Sequence, residues 1–231
     1  MAAAPLTKTV PRQYIALFLD PPFMKFGLSI LMKKGDKSSK IESMVDLGRQ
    51  EDIKYGLVGG GTTWHFFDRG VTDDYNKMGI KMKNDTDISF LASVEAGVKR
   101  VRESSDSEPF AFIGEQYTIE YHASREPCDL VAVPGLVEEY TGEYHLAVAK
   151  GLEHDDATDR IKEALLHLNG TGRLNELYNK WWKERDQCSD GDAAKPVTVD
   201  EPCSAVVTSA TFAMFALVPV VVAVLFRVSG E

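Results

Sequence analysis

Short apolar runs alternate with amphipathic stretches along most of the chain. The apolar runs predict strands at residues 26–32, 55–58, 110–113 and 144–149. Apolar residues at spacings of three and four predict helices at residues 93–102 and 157–168 and after Gly172. Thr62 and Thr63 follow the second strand closely and are expected to cap a further helix. Strands that alternate with helices indicate an α/β fold.

The segment at 205–226 differs from the rest because it reads AVVTSATFAMFALVPVVVAVLF and contains no charged residue. A helix of this length would cross about 30 Å of hydrocarbon. The alternative is a buried core helix, but so long an uncharged run favours a single transmembrane helix. Residues 190–204 would be its linker. Residues 227–231 would be a short cytoplasmic tail because Arg227 follows the span, whereas acidic residues precede it.

Charge and motif content exclude several classes of function. Lys and Arg number 26 against 35 Asp and Glu, a net charge of -9, which argues against a nucleic-acid partner. The five histidines lack metal-ligand spacing, and no Ser-His-Asp or Cys-His arrangement is recognisable. We therefore expect no enzyme activity, no metal and no cofactor.

Two sequons are compatible with an extracellular location for the part before the span. They begin at Asn84 and Asn169 and are candidate glycosylation sites. The N-terminal MAAAPLTKTVPRQ lacks the pattern of a secretory signal, so we expect the sequence to be a fragment or to start inside a longer protein.

The chain has three cysteines, Cys128, Cys188 and Cys203. In an oxidising compartment two of them could pair, and the alternative is three free thiols. A bond from Cys128 to Cys188 would stabilise the fold by about 4 kcal/mol through the entropy of the unfolded chain.

A glycine-rich turn, GGGTT at 59–63, follows the predicted strand at 55–58. Glycines allow a ligand to approach the backbone, and the free amides at a helix start attract an anion. The motif also occurs as a plain loop and cap, so it leaves both interpretations open. It lacks the spacing of a nucleotide-binding loop.

Longer motifs resemble the ligand-binding segments of AMPA- and kainate-type ionotropic glutamate receptors. The run IESMVDLGRQEDIKYGLVGGGTTWHFF at 41–67 resembles the opening of the second segment. It is followed in family order by FAFIGEQYTIEYHASREPCD, EYHLAVAKGL and LNELYNKWWKERDQC. Upstream, APLT, an arginine five residues later and PPFMKFGLSILMKK resemble the end of the first segment.

The resemblance implies a two-lobe clamshell related to periplasmic binding proteins, with lobe two complete, lobe one partial and one C-terminal transmembrane helix. Residues 1–34 would end the first segment, and residues 41–189 would form the second. The family's pore helices are absent between them, because residues 35–40 are too short to span a membrane.

The resemblance also implies a ligand set from the first segment. Arg12, assisted by Thr7, would hold the α-carboxylate of an amino acid, since a guanidinium fork matches a carboxylate. Pro5 would offer its carbonyl oxygen to the α-ammonium group.

The second segment would complete this pocket. Glu115 would face the α-ammonium. The glycine-binding branch of the family tends to carry aspartate here, so a glutamate favours glutamate as ligand. Thr62 and Thr63 would receive the side-chain carboxylate. Tyr144 would be either a pocket wall or an ordinary core residue. Cys128 and Cys188 match the disulfide of lobe two, and the Trp181–Trp182 pair is expected to be core packing.

The implied function is a truncated glutamate-binding subunit of a ligand-gated cation channel, in which closure of the clamshell gates a pore supplied elsewhere. The alternative is a membrane-tethered amino-acid-binding module without channel activity. Expected partners are L-glutamate, the membrane and other receptor subunits, paired as clamshell dimers within a tetramer. The expected location is the plasma membrane, with the postsynaptic membrane as one option. The sequence leaves open whether the AMPA or the kainate branch is closer.

Overall fold

The computed structural model describes residues 1–35, 37–70, 72–135, 140–152 and 155–188. Its strands are β1 (Ala2–Thr7), β2 (Ala16–Phe26), β3 (Leu28–Lys33), β4 (Lys54–Val58), β5 (Phe90–Leu91), β6 (Phe110–Glu115), β7 (Leu130–Gly135) and β8 (Gly142–Ala149). They form a five-stranded and a three-stranded sheet.

The helices follow the predicted amphipathic stretches and add several short ones. They are α1 (Val10–Gln13), α2 (Met44–Arg49), α3 (Thr62–Arg69), α4 (Asp73–Asn84), α5 (Thr86–Ser89), α6 (Val94–Glu103), α7 (Gln116–Ala123), α8 (Asp156–Gly170) and α9 (Arg173–Tyr178). A 3-10 helix spans Ser38–Lys40, and a π-helical turn spans Asn179–Lys183. Side chains of Ser43, Thr72, Ser93 and Asp155 accept hydrogen bonds from the first turns of α2, α4, α6 and α8.

The five-stranded sheet has the order β5-β4-β6-β3-β7 and is covered on both faces. Along β3, Ile30 packs in the cluster with α2, α3 and α4, whereas Leu31 packs with α6 and α7 on the other face. Both side chains are fully buried. This explains why β3 reads as a continuous apolar run, because a strand buried on both faces needs no polar alternation.

The three-stranded sheet has the order β1-β8-β2, with β8 antiparallel to both neighbours. Helix α8 packs against β2. The mixed α/β architecture with two sheets fits the two-lobe clamshell that the motifs predict.

The chain passes between the sheets at Gly27 and again between Gly135 and Gly142. The Gly27 N–H donates to the Gln116 Oε1 (3.3 Å), and the Gln116 N–H donates to the Gly27 carbonyl (2.9 Å). Prediction of one strand at 26–32 was therefore wrong at its first residues, because Gly27 bonds to the start of α7 and separates β2 from β3.

Within the described residues no helix is long and apolar enough to cross a membrane. The span predicted at 205–226, its linker and its tail lie outside those residues.

Candidate functional site

Glu115 lies where the two sheets meet. It is the last residue of β6 and the N-cap of α7. Its Oε2 accepts a hydrogen bond from the hydroxyl of Tyr144 on β8, so the contact joins the two sheets. Burial raises the pKa of Glu115, while the Tyr144 hydrogen bond and the charge of Arg12 lower it. Glu115 is therefore a partly buried carboxylate that accepts one hydrogen bond and is influenced by the positive charge of Arg12.

Tyr144 is 4% exposed and is therefore a core residue as well as a partner of Glu115. Burial and the negative charge of Glu115 both raise the pKa of Tyr144, which keeps its hydroxyl protonated. Across the β1–β8 pair it lies opposite Thr7. The two interpretations of Tyr144 are thus compatible, since its ring is buried while its hydroxyl reaches Glu115.

Arg12 lies on the short helix α1, which packs against β2 of the three-stranded sheet. The Thr9 side chain caps the helix by accepting from the Arg12 N–H (3.4 Å). The Arg12 Nη1 donates to the Thr7 carbonyl oxygen (3.0 Å), and Thr7 is buried. Within the described residues the guanidinium forms no ion pair with a carboxylate, so further N–H groups are available for a ligand.

Helix α3 begins directly after the glycines of the glycine-rich turn. Its N-cap is Gly61, with extended backbone and no side-chain cap, so prediction of Thr62 and Thr63 as caps was wrong. The two threonines are instead the first two helical residues; Thr63 is buried and Thr62 is half-buried. Gly60 has φ +73, a conformation that side chains rarely adopt. The turn leaves the first amides of the helix without a capping side chain.

Tyr140, which sequence reasoning missed, lies between α3 and the Glu115 contact. Its ring centroid is 5.2 Å from that of Phe66 on α3 and 6.3 Å from that of Phe26 on β2. Phe26 in turn stacks on Tyr144 at 4.2 Å. No local pattern distinguishes Tyr140, so only the tertiary contacts reveal it.

The remaining sequence-predicted positions are exposed. Pro5 lies in β1, two residues before Thr7. Asn84 is the last residue of α4, and Asn169 lies in the last turn of α8. Both asparagines are accessible, as a glycan acceptor must be.

A disulfide joins Cys128 and Cys188, with Cα atoms 5.4 Å apart across 60 residues of sequence. Arg125 holds the same C-terminal segment, because its Nη1 donates to the Arg185 carbonyl (2.6 Å) and its Nη2 to the Trp181 carbonyl (3.1 Å).

Trp182 adds a third attachment of this segment to α7. Its Nε1 donates to the Tyr117 carbonyl (2.8 Å), and its ring stacks on Tyr178. Trp181 and Trp182 are only partly buried, so they pack a surface segment onto α7 and do not lie in a central core.

A separate surface groove of about 770 Å³ runs along α2 and α4, far in sequence from Glu115 and Arg12. Its charged side chains pair with one another, for example Arg49 with Asp74 (2.8 Å) and Lys81 with Glu51 (3.2 Å). These ion pairs already occupy charged groups that a ligand in the groove would need. The described residues also contain no group of three His, Cys, Asp or Glu side chains placed to hold a metal ion.

An α/β architecture with two sheets, joined by the Tyr144–Glu115 hydrogen bond, fits the class of two-lobe clamshell proteins. Comparison with known proteins identifies similar sequences. Over 153 residues the chain is 37% identical to Glutamate receptor 3 of Rattus norvegicus, and equally to Glutamate receptor 3 of Homo sapiens and of Macaca fascicularis. No family model matches the chain.

The match covers 66% of this chain and 16% of the length of each relative. The chain thus carries an ionotropic glutamate receptor-like segment, as its motifs predicted.

Proposed function

We propose that this chain binds L-glutamate or a similar amino acid at the junction of its two sheets and acts as a ligand-binding part of a glutamate-gated cation channel. The observation that carries the proposal is the position of Glu115, whose carboxylate accepts a hydrogen bond from Tyr144 across the two sheets. Arg12 lies on α1, beside the three-stranded sheet, and its positive charge lowers the pKa of Glu115 at the end of a strand of the five-stranded sheet. A small zwitterion placed between them would meet a complementary charge at each end.

Arg12 is suited to the α-carboxylate. Its bond to the Thr7 carbonyl fixes the side chain and leaves other N–H donors of the planar guanidinium unused. Such a fork binds a carboxylate through two parallel, charge-assisted hydrogen bonds. A lysine at this position would keep the charge and lose the fork.

Glu115 is suited to the α-ammonium. Its burial makes an unpaired charge unfavourable, and an ammonium group would relieve that cost. The Tyr144 hydroxyl occupies one acceptor site on the carboxylate, which has others to offer.

The start of α3 is suited to the side-chain carboxylate of glutamate. Its first amides lack a capping side chain, and Thr62 and Thr63 add hydroxyl groups. Pro5, near Thr7 in β1, is the remaining proposed contact and would use its carbonyl oxygen.

Two receptor roles remain to be separated. The chain could gate a pore that other subunits supply, or it could be a membrane-tethered binding module without channel activity. The second role is favoured by the link from β3 to α2, whose described part holds only a turn and the 3-10 helix Ser38–Lys40. Expression alone should give no glutamate-evoked current, and only coexpression with a pore-bearing subunit can alter one.

The proposed location is the plasma membrane, with residues 1 to about 200 outside and residues 205–226 as the tether. The disulfide and the two exposed sequons are consistent with an oxidising, glycosylating compartment. In a receptor assembly the partners would be other subunits, paired as clamshell dimers within a tetramer.

Calorimetric titration of the full chain, purified in mild detergent, with L-glutamate tests the proposal. Arg12→Lys is expected to weaken binding by about tenfold to a hundredfold, since charge-assisted hydrogen bonds are lost. Arg49→Lys is the matched control, because Arg49 on α2 pairs with Asp74 on α4, away from the proposed pocket. Failure of the wild-type chain to bind any L-amino acid would refute the function, and equal affinities of the two lysine variants would refute the role of Arg12.

A further inference from the structure

Two tyrosine hydroxyls in the described residues are buried without a hydrogen-bond partner, those of Tyr55 and Tyr140. A buried polar group without a partner destabilises a fold and therefore requires an explanation. The two groups differ in their surroundings. Tyr55 lies in strand β4, within the main apolar cluster, where its buried hydroxyl only lowers the stability of the fold. Tyr140 lies beside the proposed ligand site.

The ring contacts fix where the Tyr140 side chain lies. It packs on Phe66, one helical turn after Thr62 on α3, and on Phe26, whose ring stacks on Tyr144. Tyr140 thus bridges the helix start and the Tyr144–Glu115 hydrogen bond. Its hydroxyl is shielded from solvent by these neighbours and not by a polar partner.

The charges around Tyr140 agree with this position. Its pKa is raised most by burial and is affected in opposite directions by Glu115 and Arg12, so both ligand-facing charges act on it. The Thr62 side chain also lowers this pKa as a nearby hydrogen-bonding group. Within the described residues the Tyr140 hydroxyl nevertheless has no hydrogen-bond partner.

We propose that the Tyr140 hydroxyl, with Thr62, donates a hydrogen bond to the side-chain carboxylate of the bound amino acid and so selects acidic over apolar side chains. The inference rests on the proposed function and adds a residue to it. A ligand carboxylate supplies the acceptor that the protein lacks at this point. Discrimination is strong at such a site because a ligand without the acceptor leaves the hydroxyl buried and unpaired.

Tyr140→Phe tests the proposal because it removes the hydroxyl and keeps the ring contacts. Calorimetry on the full chain would compare L-glutamate with L-norvaline, which has the same five-carbon length and no distal carboxylate. The dissociation constant for L-glutamate is expected to rise about tenfold, as for a hydrogen bond to a charged group, and that for L-norvaline should not rise. The melting temperature without ligand should stay the same or increase, since an unpaired polar atom is removed.

Tyr55→Phe is the matched control, with the same chemical change at the other unpaired hydroxyl. It is expected to preserve or raise the melting temperature and to leave both affinities unchanged. An unchanged affinity of Tyr140→Phe for L-glutamate would overturn the inference, as would an equal loss for both ligands. If the wild-type chain binds L-glutamate while Tyr140→Phe has no selective effect, the Tyr140 inference is refuted and the proposed function is retained. If the wild-type chain binds no amino acid, both the inference and the proposed function are refuted.

Discussion

Breaking the Cys128–Cys188 disulfide is expected to lower stability strongly while leaving the folded structure nearly unchanged. The bond closes a loop of 60 residues. Without the bond, the unfolded chain regains loop entropy worth about 4 kcal/mol at 25 °C. The native segment should remain in place, because Arg125 and Trp182 hold it through their own hydrogen bonds to main-chain carbonyls.

For a domain of this size, about 4 kcal/mol corresponds to a fall in melting temperature of roughly 8 to 16 °C. The assay is thermal and urea unfolding of the full chain, with the double variant Cys128→Ser, Cys188→Ser and, separately, the wild type under a phosphine reductant. The dependence of unfolding free energy on urea should also become steeper, because the unfolded chain exposes more surface once it is unlinked.

Cys203→Ser is the control, since this cysteine lies outside the described residues and outside the disulfide. It should unfold like the wild type and remain sensitive to reductant. If the melting temperature of the double variant falls by less than about 2 °C, the bond does not stabilise the protein by restricting the unfolded chain. An equal shift for Cys203→Ser would show that a different pairing exists.

Two further changes test the site and its support. Glu115→Gln should abolish L-glutamate binding. It should also raise stability at neutral pH. Because the pKa of Glu115 is raised, the folded state favours the protonated carboxyl, and this contribution to stability is lost as pH rises through that pKa. Glutamine stays neutral at every pH and therefore avoids the loss. In the wild type, affinity should fall as pH decreases through the same raised pKa, and a pH-independent affinity would contradict this role. Gly142→Ala should cost about 1–3 kcal/mol, since the new methyl group would collide with the Phe26 ring. Gly170→Ala, with open space around it, should be harmless in the same urea titration.

The sequence predicted the strands and helices whose patterns are local. The strand Lys54–Val58 and the helix Val94–Glu103 lie within one or two residues of their predicted bounds. The β2–β3 boundary was not predicted, because the bonds that divide it join Gly27 to Gln116, 89 residues away. The cap of α3 was misplaced by one residue because a glycine N-cap leaves no side-chain signature.

The site could be predicted only in part for the same reason. Arg12 and Glu115 lie in recognisable motifs, so both could be named from the sequence. The influence of Arg12 on the pKa of Glu115 depends on the tertiary structure and could not be predicted. Tyr140 carries no such motif. Its position follows from aromatic packing against residues 26 and 66, and no pattern within one strand or helix encodes that contact.

Helix α7 connects Glu115 to the firmly attached C-terminal segment. Glu115 stands at its first end, and Arg125, Trp182 and the disulfide fasten the departing chain along and just beyond it. The helix has eight residues and is therefore about 12 Å long. If an amino acid binds at Glu115 as proposed, α7 would connect its ammonium group to the chain segment that ends at the disulfide. A displacement of Glu115 on ligand binding would then be transmitted to Cys188, because hydrogen bonds and the disulfide attach this segment firmly.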